Sequence, residues 1–296
     1  MNATTARAAI QLENIIFATD FSPAAAAALP FAGSIARQFG ANLFAVHART
    51  PENYALPATE VWPIYNEQLE KETASLKTEL QENYSSIPAE IITVEGGVIT
   101  VIEAIAKEKN ADLIVLGTNG RRGIGKFFLG SVAEEVLRKA SCPVLTVGPH
   151  VNAGNSRDPV FRKILFATDF AEGAPSVATY AAALAGEHQA RLSLLHVIDH
   201  PKTGDLVQPR ELESAALDHL NSLVPRETGL LFDPKAIVVH GDPAEKILEV
   251  AEKEGADLIL LGVRKAKGYL RATHLPAAVA HQVISRAACP VLTVRS

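Results

Sequence analysis

The chain has 296 residues, enough for two cores of ordinary domain size, and its 48% hydrophobic and 21% charged content is that of a folded globular protein. A formal net charge of −5 gives no electrostatic basis for nucleic acid or an anionic membrane as the main partner. No run approaches the roughly 20 apolar residues of a membrane span, and Met1 to Gln11 lacks the basic and then apolar plan of a secretory signal, so a cytoplasmic protein is expected.

Asn14 to Thr19 is a short Ile-rich run that predicts a strand buried on both faces. Ser22-Pro23 supplies a helix cap and a proline at the first helical position, and an Ala-rich stretch runs from there to Phe39 with Gly40 as a stop. Strands follow at Asn42–Ala48, Ala89–Glu95, Asp112–Leu116 and Pro143–Val147, separated by helical patterns within Thr59–Tyr84, Val98–Lys109 and Ser131–Ala140. Strict alternation predicts a parallel sheet with right-handed crossovers and helices on both faces.

The same order then returns. Ile15-Ile16-Phe17-Ala18-Thr19-Asp20-Phe21 recurs as Ile164-Leu165-Phe166-Ala167-Thr168-Asp169-Phe170. Ala111-Asp112-Leu113-Ile114-Val115-Leu116-Gly117 recurs from Ala256 to Gly262, and Cys142-Pro143-Val144-Leu145-Thr146-Val147 from Cys289 to Val294. This period is far longer than the about 20 to 50 residues of a solenoid unit, so a whole domain is duplicated. The expected organisation is a domain over 1–148, a polar linker over 149–160 and a second domain over 161–296, each a doubly wound five-stranded α/β unit. Strands of the second copy are predicted at Lys163–Thr168, Arg191–Val197, Lys235–His240, Asp257–Leu261 and Pro290–Val294. Cys142 and Cys289, the only cysteines, read as buried and inert thiols at strand entrances.

In open α/β sheets ligands bind beyond the carboxyl ends of the strands, where the winding reverses. In the first copy one such end carries Asp20, and another carries a glycine-rich loop from Gly117 to Ser131. Glycine lets successive backbone N–H groups surround phosphate oxygens, and the helix entered at Gly130-Ser131 favours an anion, with the Ser131 hydroxyl as a further donor. Gly120 to Lys126 satisfies the G-x-x-x-x-G-K part of a P-loop, but Phe127 stands where that motif needs the Mg²⁺-holding Ser or Thr.

Gly117, Gly120, Gly130 and Ser131 match G-x2-G-x9-G-[S/T] after the fourth strand, and with the Thr-Asp-Phe turn and the Cys-Pro-Val strands the chain resembles a tandem universal stress protein. The resemblance implies strand order 3-2-1-4-5 and a bound adenine nucleotide, ATP or AMP, with Mg²⁺ as a possible companion. It places Asp20 at the adenosine, the backbone of Ala48 at the adenine, and Gly117, Gly120, Gly130, Ser131 and Val132 around the phosphates. Other meanings stay open. Asp20 could instead cap the turn before Pro23, as its recurrence as Asp169 allows, and Gly130-Ser131 could be an ordinary helix entrance. Arg121, Arg122 and Lys126 read first as a solvated basic loop, and His47 and His196 as satisfied, half-buried imidazoles rather than ligands. The segment Tyr54 to Tyr65, with Trp62, reads as a packed connection, or else as a flap or partner patch.

The second copy keeps Gly262, but Lys265 replaces the next glycine and Ala277-Ala278 replace the Gly-Ser pair. Nucleotide binding is therefore expected mainly in the first domain, although Arg264, Lys265, Lys267 and Arg271 leave a different anion open there. Hydrolysis needs a metal site and a positioned water or base beyond a phosphate cradle. No residue declares itself as that base, so a binding protein of the stress response is favoured over a slow ATPase or a nucleotide-independent scaffold. The last strand of each copy is expected to be a sheet edge, and the two copies to pair as a pseudo-dimer, with a homodimer possible beyond it.

Overall fold

The computed structural model describes residues 10–50, 58–118, 129–151, 158–199, 209–224, 230–263 and 277–295. The first half runs β1 (Asn14–Ala18), α1 (Pro23–Phe39), β2 (Asn42–Arg49), α2 (Ala58–Asn83), β3 (Ala89–Glu95), α3 (Val98–Glu108), β4 (Leu113–Gly117), α4 (Ser131–Lys139) and β5 (Val144–Val147). The second half runs β6 (Lys163–Thr168), α5 (Ala174–His188), β7 (Arg191–Ile198), α6 (Pro209–Leu223), β8 (Lys235–His240), α7 (Pro243–Glu254), β9 (Leu258–Val263), α8 (Ala277–Arg286) and β10 (Val291–Arg295). Among the described residues no helix is long and apolar enough to cross a membrane.

Local chemistry sets the element boundaries. Ser22 Oγ accepts the Ala25 N–H at 3.2 Å and Pro23 begins α1, which Gly40 ends in the left-handed region at φ 65°. The Asp of each Ala-Asp-Leu repeat ties two strands together at their starts. An Asp112 carboxylate oxygen accepts the Glu13 and Asn14 N–H groups at 2.8 and 3.0 Å, and Asp257 accepts those of Arg162 and Lys163. Burial raises the Asp257 pKa, an effect that these N–H bonds oppose.

Among the described residues, ten strands form one sheet in the order β3-β2-β1-β4-β5-β10-β9-β6-β7-β8. Each half is parallel in the order 3-2-1-4-5. The two last strands, expected as edges, lie at the centre: β5 and β10 pair antiparallel through Val144↔Thr293, Leu145↔Leu292 and Thr146↔Val291. Thr146 Oγ1 donates to Val291 O at 3.0 Å and Thr293 Oγ1 to Val144 O at 3.2 Å, so equivalent hydroxyls cross the junction in both directions. β9 extends two residues beyond its expected end, and Val263 pairs with Arg295 of β10.

Successive strand side chains enter opposite layers. Ile15 and Phe17 of β1, with Ile164 and Phe166 of β6, join a single core under α1, α2, α5 and α6 that spans both halves. Ile16 and Ala18 face the α3 and α4 side, and Leu165 and Ala167 the α7 and α8 side. Cys142 and Cys289 are buried, and burial pushes their thiols up to about 11 and about 12, which makes them poor nucleophiles at neutral pH.

On the shared face, the end of α1 meets the end of α5. Gln38 Nε2 donates to Glu187 O, Ser34 Oγ donates to Pro159 O, and Phe31 stacks on Phe161 with ring centroids 6.3 Å apart. His188 sits in this seam, 8% exposed, its ring 5.1 Å from that of Phe161 and 6.2 Å from that of Phe39. Neither ring nitrogen has a hydrogen-bond partner among the described residues. Burial pushes the imidazole down from 6.5 to about 4. The unfolded chain therefore takes up a proton below pH 6.5 that the folded chain refuses until about pH 4. Between those values the protein loses on the order of 3 kcal/mol of stability. Denaturant titrations of wild type and His188→Leu across this range should show a flatter pH dependence in the variant; parallel curves would remove His188 as the cause.

Candidate functional site

β1 lies between β2 and β4, with Ala18 in register with Val46 on one side and Leu116 on the other. The chain leaving β1 therefore passes Ala48 on β2 and Gly117 at the end of β4. Thr19 N donates to Val46 O at 2.9 Å. Backbone direction alternates along a strand, so Ala48 turns its N–H and C=O to the same side as Val46, beyond the residue where β1 ends.

Asp20 is half-buried and makes the turn that the sequence left open: its Oδ1 accepts the Ser22 N–H at 3.0 Å. Thr19 Oγ1 accepts the Phe21 N–H at 3.0 Å, and Phe21 has φ 58°. The second half repeats the device, with Asp169 Oδ1 accepting from Ala171 N, Thr168 Oγ1 from Phe170 N, and Phe170 at φ 59°. A shared turn thus accounts for the recurrence of Thr-Asp-Phe. His47 is buried, its Nδ1 2.9 Å from Thr19 O and its Nε2 3.2 Å from the Tyr65 hydroxyl. A carbonyl can only accept, so Nδ1 carries a proton; in the neutral imidazole Nε2 then accepts from the Tyr65 hydroxyl. Residues 51–57 lie outside the description, but Ala58 onward is helix, so Tyr65 belongs to α2 rather than to a loop over the cleft.

Gly120, Arg121, Arg122 and Lys126 fall outside the described residues. The neck of their loop is described: Gly130 N donates to Thr118 O at 2.8 Å, pinning the start of α4 beside the end of β4. A Cβ on Gly130 would lie 2.6 Å from Thr118 O, and one on Gly117 2.3 Å from Ala24 O in the first turn of α1. These glycines therefore allow close backbone packing at the neck, a role that motif spacing alone did not reveal. Gly130 is the N-cap of α4, at φ −61° and ψ 146°, and offers no side chain to cap it. The first backbone bond of the helix runs from Glu134 N to Gly130 O. The N–H groups of Ser131, Val132 and Ala133 precede it, with Ser131 exposed and Val132 half-buried against the first-half core. Such an amino terminus attracts an anion.

The equivalent place in the second half is built differently. Ala171 stands where Ser22 caps α1, and α5 begins at Ala174 behind Gly173. A Cβ on Gly262 would meet only the Val177 side chain at 3.4 Å, an ordinary contact. Ala277, the counterpart of Gly130, is helical rather than a cap, and residues 264–276 lie outside the description. Phe170 is sandwiched between imidazoles, 4.1 Å from the His196 ring and 4.2 Å from that of His219 on α6. Burial lowers the His196 pKa, opposed by the bond to Thr168 O and by Asp169, with His219 adding to the lowering. Sequence reasoning missed His219, because nothing local marks a helical residue whose partner lies some fifty positions away.

The two glycines should answer differently to the same change. Gly117→Ala forces a methyl group into α1 and should cost about 1 to 3 kcal/mol, whereas Gly262→Ala should leave the unfolding midpoint nearly unchanged. Thermal unfolding of both variants checks this, and equal losses would refute the asymmetry.

Comparison with known proteins agrees with this architecture. The family model described as "Universal stress protein family" matches residues 11–148 and again residues 161–295. A universal stress protein of Methanocaldococcus jannaschii is 34% identical over 138 residues, which are 46% of this chain and 81% of that protein. One of Thermus aquaticus is 33% identical over 138 residues, covering 46% of this chain and 98% of the relative. Over nearly full length, the crystal structure of a universal stress protein from Archaeoglobus fulgidus aligns with a TM-score of 0.73 at 22% identity, covering 97% of this chain and 99% of that one, which shows a shared fold. With both halves matched and the strand order of each established, the chain belongs to the universal stress protein family and carries its domain twice.

Proposed function

We propose that this protein binds an adenine nucleotide, ATP or AMP, mainly in the first-half crevice and at one site per chain. The observation that carries the reading is the uncapped amino terminus of α4, which the Gly130 to Thr118 bond sets at the end of β4, next to the strand that leads into Asp20. Phosphate oxygens would take the N–H groups of Ser131 and Val132 and the Ser131 hydroxyl, within a loop completed by Gly117 and Gly120. Adenine would meet the backbone of Ala48. Asp20 would accept a ribose hydroxyl, which its turn bond permits because a carboxylate has several acceptor positions.

A contrast between the halves supports the single-site reading. Ala277 is helical where Gly130 is the non-helical cap of α4, and Phe170 stacks between His196 and His219 where Phe21 of the first half tilts against His47 at 4.7 Å. Isothermal titration with ATP and with AMP, with and without Mg²⁺, should give one site per chain. Ser131→Ala should weaken it about tenfold, the loss of one hydrogen bond to a charged group. Two equivalent sites, or a Ser131→Ala variant with unchanged affinity, would count against the proposal.

A further inference from the structure

The halves meet around the β5 and β10 ladder, and the meeting is unequal. Leu137 in α4 and Ile284 in α8 are counterparts in the repeat, as are Gly148 after β5 and Arg295 in β10. On one side Gly148 packs directly on α8: a Cβ there would lie 2.7 Å from Ile284 O. On the other side Arg295 Nη2 donates to Leu137 O at 2.6 Å. Leu137 O belongs to the last turn of α4, where carbonyls lack intrahelical partners and a cation is favoured.

Packing shows the same asymmetry. Leu129, the residue before Gly130, and Leu137 pack on the first-half core and also on a cluster built wholly from residues of the second half, Leu165 to Val291. Ile284, by contrast, is buried within that second-half cluster, which is its own. The helix that begins at the proposed phosphate position is thus seated at both ends on the other copy.

We propose that the second half is a positioning platform for the first-half site, with Arg295 clamping the carboxyl end of α4 and the second-half core seating Leu129 and Leu137. Arg295 is a positioning residue: it touches the helix, not the nucleotide. The proposal rests on the nucleotide-binding reading above. α4 has nine residues and is about 13 Å long, short enough that a tilt released at Leu137 moves Ser131 out of hydrogen-bond range of a bound phosphate.

The test uses the full chain with Arg295→Met and Arg295→Lys. ATP affinity is read by isothermal titration, and the last turn of α4 by hydrogen exchange of the Ala140 amide, which donates to Val136 O. Arg295→Met should exchange faster at Ala140 without nucleotide and bind ATP roughly threefold to tenfold more weakly. Arg295→Lys, which keeps a cation and a donor, should recover part of both. Unchanged exchange would remove the clamp. Faster exchange with wild-type affinity would make Arg295 structural only, provided Ser131→Ala still weakens binding. A wild-type chain that takes up no ATP would instead overturn the binding reading, and this proposal with it.

Discussion

Three residue pairs between β5 and β10 determine how everything else is arranged. Each half ends in a short apolar strand whose outer edge would otherwise present unpaired N–H and C=O groups to a strand of another molecule. Pairing the two edges antiparallel inside one chain removes both and fuses two five-stranded sheets into one of ten. The register is specified by more than backbone bonds. Thr146 and Thr293 are buried, and each hydroxyl finds its carbonyl on the opposite strand in this alignment. A slip by one residue would turn these side chains to the other face and leave their hydroxyls unsatisfied in the core.

That ladder brings α4 against β10 and the second-half cluster, and α1 against α5. Two consequences follow at opposite faces of the sheet. On one face the cores of the halves merge into a single cluster that closes over His188. On the other, α4 is placed where residues of both halves reach it, so the carboxyl end of a helix in the first half is completed by Arg295 of the second. On the proposal made above, the start of α4 at the crevice depends in this way on the junction.

Much of this was legible in the residues. Alternating apolar runs and caps marked the ten described strands and the four helices of the first copy, Ser22-Pro23 and Gly40 being the clearest boundary signals. The matched glycines located the loop after β4, and the Ala-Ala pair at 277 located the difference between the copies. What stayed hidden depends on contacts between distant segments. Gly117 needs to be small because Ala24 O approaches it, Asp20 spends one oxygen on Ser22 N, and His219 reaches Phe170 from another helix. A repeat displays which residues recur, but only packing tells whether a recurrent residue serves the fold or a ligand.

The distinction bears on where the copies have diverged. The features kept in both halves hold the sheet together: the Asp112 and Asp257 ties, the Thr-Asp-Phe turns, and the two threonines at the ladder. Features that differ lie at the junction, where Arg295 stands for Gly148, and at the ends of the first and fourth strands: Ser22 and Gly130 give way to Ala171 and Ala277, and Gly262 lacks the close backbone contact of Gly117. A shared sheet imposes the same stability demands on both halves, because a failure in either exposes the common core. A ligand imposes its demands only where it sits. Asp20 and Asp169, equal in their turns, therefore cannot tell the two crevices apart. The copies differ instead where Gly130 caps α4 and its counterpart Ala277 is already helical.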